Sequence, residues 1–272
     1  MTTIPTIPSQ RGRMGQVVHT FVRARETGIF VALILVVAAA TVVNPSFLFS
    51  QDGFRDLLLT PAILVLVAVG EAMVILTRSV DLSVGSVVGL TAYLAGRLFV
   101  DVGGIPIILV FLCCVAAGAV LGLVNGLLVA FGKVPALVIT LGTLYAYRGI
   151  NVLWTGSNRI NASDMPRGFL DLGTDSVAFI PYLTIIAVVI VLVAGWYLRN
   201  KRSGRELYAI GSDPDAAELY GLKVRRRVLV AFVLCGALAG LAGVLFAARY
   251  GTTNSQTGTG LELQAVGAVV IG

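Results

Sequence analysis

The chain has 272 residues, of which 57% are hydrophobic and 12% charged, and its mean hydropathy is +0.92. A soluble domain of this length is typically about a quarter charged, so the composition excludes an ordinary soluble enzyme or binding domain. The net charge is +6, and most of the charged residues lie between the apolar runs. This placement favours membrane topology over nucleic-acid binding, and no nucleic-acid partner is predicted.

Repeated apolar runs of nearly 20 residues predict an all-α, polytopic bundle of transmembrane helices with about 8 spans. We expect residues 1–27 to form a basic cytoplasmic tail and residues 28–272 to form the transmembrane domain. The expected spans are roughly Gly28–Val43, Leu57–Thr77, Ser86–Val100, Ile107–Phe131, Ala136–Trp154, Pro181–Leu198, Val228–Ala248 and a last run from Leu261. That last run is too short to cross a bilayer, so either the protein continues beyond residue 272, which we expect, or the end is a half-inserted segment.

The distribution of basic residues predicts the orientation of these spans. With the N-terminus in the cytoplasm, 14 of the 20 Lys and Arg residues fall in cytoplasmic segments. Cytoplasmic loops carry an excess of Lys and Arg, so the count favours a cytoplasmic N-terminus in a bacterial plasma membrane.

Residues 199–227, which we call the coupling segment, form the longest polar interval between apolar runs. Eight of the chain's 20 Lys and Arg residues lie at its two ends. The sequence between them predicts a short helix capped by Ser212 or Asp213, with Asp215 near its positive end and Gly221 placed to stop it. A short helix between two basic clusters at a membrane face predicts a contact for a soluble partner.

A charged residue and a polar interruption mark the second and third runs. Glu71 lies inside an apolar run, where a carboxylate is costly and is by default a functional hypothesis; the alternative is a structural carboxylate near a polar cavity. Residues 78–86 then break the apolar pattern, and Ser79 or Asp81 could cap the next helix. The segment is either an inner turn with Arg78 at the surface or a broken helix whose backbone lines a polar pathway.

The fifth run is polar for a helix that faces lipid. It carries Thr140, Thr143, Tyr145, Tyr147, Arg148 and Asn151. One face is therefore expected to meet the interior, although Thr hydroxyls also bond to their own helix backbone. The predicted translocation pathway consists of Glu71, Asp81, Ser83, Ser86, Asn125, Thr140 and Thr143.

Small residues recur four apart, as Gly85 and Gly89, as Gly118, Gly122 and Gly126, and as Gly236 and Gly240. This spacing lets membrane helices approach closely. It indicates either helix packing, within the chain or across a dimer, or a surface that slides during a conformational change. The pattern alone does not separate the two.

Several motifs for chemistry are absent from the sequence. No GxxxxGK[ST] phosphate loop is present, so the chain is not expected to hydrolyse ATP alone. The three cysteines lie in apolar runs and indicate packing, and the chain has a single His. We predict no catalytic residues, no metal and no cofactor of its own.

Four segments together resemble one family: residues 77–90 (TRSVDLSVGSVVGL), 140–156 (TLGTLYAYRGINVLWTG), 204–227 (GRELYAIGSDPDAAELYGLKVRRR) and 257–272 (TGTGLELQAVGAVVIG). They are similar to the membrane permeases of bacterial ABC importers for monosaccharides, of the ribose, xylose, rhamnose and autoinducer-2 type. The family often has a Gly pair where this chain has Arg78 and Ser79.

The resemblance also implies the partner subunits of the importer and its mechanism. It implies an ABC ATPase subunit that binds the ATP, an extracytoplasmic sugar-binding protein, a second permease (identical or a paralogue), surrounding membrane lipid and about ten spans. It also implies import by alternating access, with residues 211–221 as the helix that contacts the ATPase. The coupling residues are then Gly211, Ser212, Asp213, Asp215, Ala216, Glu218 and Gly221.

Two other functions stay open at this point. One is a secondary transporter driven by an ion gradient, with Glu71 and Asp81 as the ion-coupled pair. It would need inverted repeats, which we do not find, and it would leave the coupling segment unexplained. The other is a membrane-embedded enzyme, for which the same two carboxylates are the only candidate pair.

Overall fold

The computed structural model describes residues 25–45, 47, 50–132, 134–177 and 179–271, and almost all of the predicted tail lies outside them. These residues fall into two units, one up to Phe54 and one from Arg55 to Ile271. The helices are α1 (Arg25–Val43), α2 (Gln51–Ile75), α3 (Val84–Asp101), α4 (Ile107–Phe131), α5 (Ala136–Thr155), α6 (Arg167–Thr174), α7 (Tyr182–Asn200), α8 (Arg202–Ser212), α9 (Pro214–Leu219), α10 (Val224–Tyr250) and α11 (Leu261–Ile271).

The prediction of an all-α polytopic bundle is confirmed. Six helices of the described chain are long and apolar enough to cross a membrane, namely α2, α3, α4, α5, α7 and α10. The apolar part of α1, Gly28–Val43, and α11 are shorter. Each predicted run is thus a helix, and the boundaries differ by only a few residues.

The second run differs from its prediction at its start. The polar residues from Gln51 onward join the helix. Pro61 would lie in the first turns of the predicted run from Leu57, but it lies in the interior of α2. A proline there removes one backbone hydrogen bond. Thr184 of α7 donates to the Leu58 carbonyl at 3.1 Å, close to that gap, and neighbouring hydroxyls of this kind make interior prolines tolerable in membrane helices.

The centre of the larger unit is α10, which packs chiefly against α4 and α3. Gly118 of α4 and Gly236 of α10 lie so close that a Cβ on Gly118 would be 2.2 Å from the Gly236 carbonyl oxygen. A Cβ on Gly122 would be 2.3 Å from the Phe232 carbonyl oxygen. The repeated glycines of α4 and α10 therefore form a close-packed seam within the chain, as one of the two predicted alternatives required.

The polar loop between α5 and α7 is more ordered than its composition indicates. It contains a 3-10 turn (Ala162–Asp164), α6 and a two-stranded hairpin of β1 (Ser176–Val177) and β2 (Ile180–Pro181). The strands pair antiparallel, with Ser176 opposite Pro181. Phe169 of α6 is buried, and its ring centroid lies 4.8 Å from that of Phe99, so this loop closes one end of the bundle.

Candidate functional site

The site begins where α2 ends, at the break formed by residues 76–83. The backbone of Arg78 has φ 60°, a left-handed conformation that usually favours glycine. The chain turns back there, so that the Asp81 N–H donates to Glu71 Oε1 at 2.9 Å. Arg78 is exposed, as the first predicted alternative requires, while Asp81 is buried; whether the backbone of this break lines a polar pathway stays a prediction.

Asp81 organises the start of α3. Its Oδ1 accepts from the Ser83 N–H at 2.9 Å and from the Ser83 hydroxyl at 2.7 Å. Ser83 is the residue that precedes the helix, and its side chain makes no capping bond. Asp81 therefore shapes the turn before α3 and does not cap it directly.

Asn125 of α4 joins this turn to the bundle. Its Nδ2 donates to Ser83 Oγ at 2.7 Å and to the two Asp81 oxygens at 3.2 and 3.3 Å. Its Oδ1 accepts from the Tyr147 hydroxyl at 3.2 Å. We call Glu71, Asp81, Ser83, Asn125 and Tyr147 the polar network; all five are buried.

The remaining predicted pathway residues fall into two groups. Thr140 donates to the Val80 carbonyl at 3.1 Å and Ser86 donates to the Leu144 carbonyl at 2.9 Å, so both tie α5 to the break and to α3. Thr143 bonds only the Thr140 carbonyl of its own helix, at 3.3 Å. The structure thus brings together six of the seven predicted pathway residues, without placing any of those six on an open surface.

The two carboxyl groups of the polar network have no basic partner in the described structure. The ion pairs there join Arg97 with Asp101, Arg202 and Arg227 with Glu206, and Arg249 with Asp56. Glu71 Oε2 accepts from the Cys235 thiol, with Sγ at 3.9 Å. Within the described ranges no group of three potential metal ligands occurs either, so hydrogen bonds alone hold this network.

The coupling segment folds as two helices where the sequence predicts one. Asp213 caps α9, accepting from the Asp215 and Ala216 N–H groups at 3.0 and 3.1 Å, and Gly221 follows with φ 80°. Ser212, the other predicted cap, is instead the last residue of α8. Strong capping signals flank α9, whereas α8 starts after Lys201 without a side-chain cap, and so the sequence signal for it is weak.

The surface of α9 is open. Ser212, Asp213, Asp215 and Glu218 are exposed, as are Leu219 at 89% and Tyr220 at 87%. Ala216 is half-buried, and Ala217 packs inward. Two consecutive large apolar side chains that are almost wholly exposed are the kind of surface that a protein partner covers.

Arg78 joins the break to α8, a contact that the sequence analysis missed. Its Nε donates to the Gly211 carbonyl at 2.7 Å, and its Nη2 donates to the Ser212 carbonyl. These are the last two residues of α8, whose carbonyls lack partners within the helix and carry its negative end. A Cβ on Gly211 would lie 2.2 Å from the Leu76 carbonyl oxygen, so α8 ends directly against the break.

Glu206 fixes the other side of α8 to α10. It accepts from Arg202 Nε at 2.9 Å and from Arg227 Nε. Burial alone would raise the pKa of Glu206, but the hydrogen bonds and charges of Arg227 and Arg202 outweigh it and lower that pKa. The coupling segment is therefore held at two points, by Arg78 and by Glu206.

Comparison with known proteins adds the identity of the relatives. Residues 54–272 match the family described as branched-chain amino acid transport system, permease component. The chain is 37% identical over 253 residues to the autoinducer 2 import system permease protein LsrC of Enterobacter sp. strain 638, covering 93% of this chain and 72% of that protein. It is 40% identical to the same-named protein of Salmonella paratyphi B and 39% identical to that of Escherichia coli K12, covering 77% of this chain and 60% of each relative. No solved structure matches the chain.

Proposed function

The chain belongs to the family of permease components of branched-chain amino acid transport systems, and from this membership we propose that it is the membrane-spanning subunit of an ATP-driven importer. The observation that carries the proposal is the similarity to autoinducer 2 import permeases over 93% of the chain. The solute is then a small furanosyl or monosaccharide compound. The resemblance identified in the sequence is confirmed at the level of the permease family.

The partners belong to the proposal. An ATPase subunit binds at the exposed face of α9, an extracytoplasmic binding protein delivers the solute, and a second permease completes the pathway. The eight basic residues of the coupling segment support a cytoplasmic position for α8 and α9. The predicted coupling residues from Gly211 to Gly221 then face the ATPase.

The hydrogen bonds of Arg78 connect the coupling segment to the break at residues 76–83, so a displacement of α8 and α9 can reach the transmembrane helices. When the ATPase moves α9, the covalently adjoining end of α8 moves with it, and the Arg78 hydrogen bonds transmit the displacement to residues 76–83. The polar network lies immediately beyond, through the bond from the Asp81 N–H to Glu71. We assign it the role of a rigid connector that moves α3 with α4 and α5; direct contact of the seven predicted pathway residues with solute stays a prediction.

Reconstituted transport tests the proposed function. The full-length chain, a cognate ATPase and a binding protein are placed in proteoliposomes, and autoinducer 2 uptake is measured with and without internal ATP. We expect uptake to require ATP and the ATPase, and to persist with an uncoupler when ATP is held constant. Uptake without the ATPase that collapses with the uncoupler would establish the ion-driven alternative.

A further inference from the structure

A cavity of about 430 Å³ lies between α5, Leu82 of the break before α3, and residues 256–263. Leucine and valine side chains line part of its wall. Its polar lining consists of Tyr145, Arg148, Gln256, Thr259 and Glu262. Its volume is within the range of roughly 300–1,000 Å³ that is usual for small-molecule sites, and its mixture of apolar wall and few polar groups is also usual.

Arg148 supplies unused donors to this cavity. Its Nη1 donates to the Thr257 carbonyl at 3.1 Å and to Thr259 Oγ1 at 2.7 Å. A guanidinium carries five N–H donors, and those on Nε and Nη2 have no hydrogen-bond partner among the described residues. Because they are unpaired, these donors are available for a ligand. A charged side chain within a spanning helix is also costly, and such residues usually mark functional positions.

Two more polar side chains are open to the cavity. Gln256 is exposed, and its side-chain amide makes no hydrogen bond within the part of the chain that the structure covers. Tyr145 is 72% exposed on α5, and its hydroxyl is likewise unpaired there. Together with Arg148 they offer hydrogen-bond donors and acceptors to a cavity that is otherwise lined mainly by apolar side chains, as a molecule with several hydroxyl groups requires.

Glu262 argues against an amino acid as the ligand. Its Oε1 accepts from the Gly260 N–H at 3.2 Å, and its Oε2 is buried without a partner. A Cβ on Gly85 would lie 1.9 Å from that Oε2, so the oxygen is covered by the backbone of α3. One carboxylate oxygen is therefore buried against α3 and the other is bonded to a backbone N–H, which leaves no unbonded oxygen of Glu262 open to an ammonium group in the cavity.

On these observations we propose that the cavity holds a neutral, polyhydroxylated solute during its passage, with Arg148 and Gln256 as its recognition residues. The inference rests on the proposed function and deepens it. It also differs from the predicted pathway. The polar network is buried and bonded within the chain, whereas this cavity offers unused hydrogen-bonding groups.

Uptake by matched variants gives the first test. Arg148→Gln and Gln256→Ala are compared with Arg159→Gln in the reconstituted full-length transporter. Arg159 bonds Thr252 of the same loop at 2.8 Å but does not line the cavity. A lost hydrogen bond to a ligand corresponds to about a tenfold change, so we expect about tenfold slower autoinducer 2 uptake for the first two variants and near wild-type uptake for Arg159→Gln. Equal loss in Arg148→Gln and Arg159→Gln, with Gln256→Ala unchanged, would reduce Arg148 to a structural role and overturn the inference.

Cysteine protection gives a second test that does not depend on transport. Gln256→Cys and, as a control outside the cavity, Ser163→Cys are made in a Cys113→Ser background, because Cys113 is exposed whereas Cys114 and Cys235 are buried. Labelling of the purified full-length chain by a hydrophilic thiol reagent is measured with millimolar autoinducer 2, L-rhamnose or L-leucine. We expect the first two solutes to slow labelling of Gln256→Cys several-fold and to leave Ser163→Cys unchanged.

The two tests separate the inference from the proposed function. ATP-dependent uptake by the wild type without any protection at Gln256→Cys would overturn the site and leave the importer standing. Protection of Gln256→Cys without ATP-dependent uptake would overturn the proposed importer and leave the solute site standing. Protection by L-leucine equal to that by autoinducer 2 would overturn the assignment to a polyhydroxylated solute.

Discussion

Arg78 shows how one residue can both bend the chain and connect two elements. Its left-handed φ of 60° is a conformation that glycine adopts without cost, and this fits the glycine that the resembling family often has at this turn; Arg78 keeps the same conformation. The arginine adds a side chain that reaches the end of α8. The turn is therefore preserved, and a contact with the coupling segment is gained.

The Arg78→Gly variant tests this connection. Glycine keeps the backbone conformation and removes the two hydrogen bonds to Gly211 and Ser212. Bonds made by charged groups contribute about 1.5–3 kcal/mol each, so we expect normal membrane insertion and ATPase capture but solute uptake reduced about tenfold. Arg226→Gln removes a charge from the same basic region and serves as the control. Unchanged uptake in Arg78→Gly would show that motion does not pass through Arg78.

Asn125 is the residue on which the polar network depends most. The Asn125→Ala variant removes the amide that bonds Asp81, Ser83 and Tyr147. Asp81 Oδ1 and Ser83 stay bonded to each other, and Tyr147 keeps its bond to a backbone carbonyl, but Asp81 Oδ2 loses its partner in a buried site. Unsatisfied buried polar groups cost about 1–3 kcal/mol each, so we expect the unfolding free energy to fall by roughly 2 kcal/mol or more, seen as a lower thermal midpoint in detergent. Thr143→Val, which loses only a bond within its own helix, should change stability by less than about 0.5 kcal/mol; an equal loss in both would refute the network's structural role.

Sequence reasoning found most members of this site but not their pairing. Glu71, Asp81 and Asn125 could be predicted because a polar side chain in an apolar run must find a partner. Tyr147 lies seven residues after Thr140, on the same face of α5, so its periodicity was available as a signal. The bond from the Asp81 N–H to Glu71 depends on the turn at Arg78, and its backbone conformation is not encoded in any pattern of apolar residues.

At the scale of elements, the seam between α4 and α10 is the most extensive helix contact in the described part of the chain. Gly118→Ala and Gly236→Ala would each place a Cβ within 2.3 Å of a carbonyl oxygen of the other helix. Backbone atoms cannot move aside as a side chain can, so the helices must separate, and overpacking of this kind costs about 1–3 kcal/mol. We expect both variants to unfold at lower temperature in detergent.

Two other helical glycines provide the control for that experiment. Gly142 and Gly195 have nothing within 4 Å of an added Cβ. Alanine favours a helix over glycine by roughly 0.5–1 kcal/mol, so Gly142→Ala and Gly195→Ala should be neutral or stabilising. Equal destabilisation by all four changes would mean that the seam is not close-packed.

The attachment of α8 to α10 is expected to depend on pH. Because the pKa of Glu206 is lower in the folded protein than its ordinary value of 4.5, its contribution is complete above that value and is lost as the pH falls through the lowered folded value. Hydrogen exchange of α8 amides, corrected for intrinsic rates, should show protection that decreases in this acid range. In Glu206→Gln the protection should already be weaker at pH 7 and should no longer change across that range; a wild-type acid response in the variant would contradict the assignment.

Element boundaries followed from the sequence where apolar length decided them. The predicted Ile107–Phe131 run is the same as α4, because Pro106 immediately precedes the helix and Gly132 follows it. The start of α8 and the helical turn of α2 before Leu57 were missed, since polar residues there form helix through tertiary contacts. Propensity and periodicity do not report such contacts.

For the whole molecule, the fold concentrates polar groups in three places along the larger unit. The exposed face of α9, the buried polar network and the open cavity beside Arg148 follow one another through the break at residues 76–83. This order is what an importer requires, since an ATPase-driven displacement must reach a solute site elsewhere in the chain. Permease family membership and the six spanning helices agree with it.

Capture of the ATPase tests this organisation most directly. The full-length chain with an affinity tag is co-expressed with a cognate ATPase, solubilised gently and purified, beside the variants Asp215→Arg and Asp171→Arg. Asp215 is exposed near the start of α9, and Asp171 is exposed on α6, which the proposed orientation places on the other side of the membrane. We predict that the wild type and Asp171→Arg retain the ATPase and that Asp215→Arg loses it. Absence of capture by the wild type, or capture unaffected by Asp215→Arg, would contradict the proposed importer and its coupling surface.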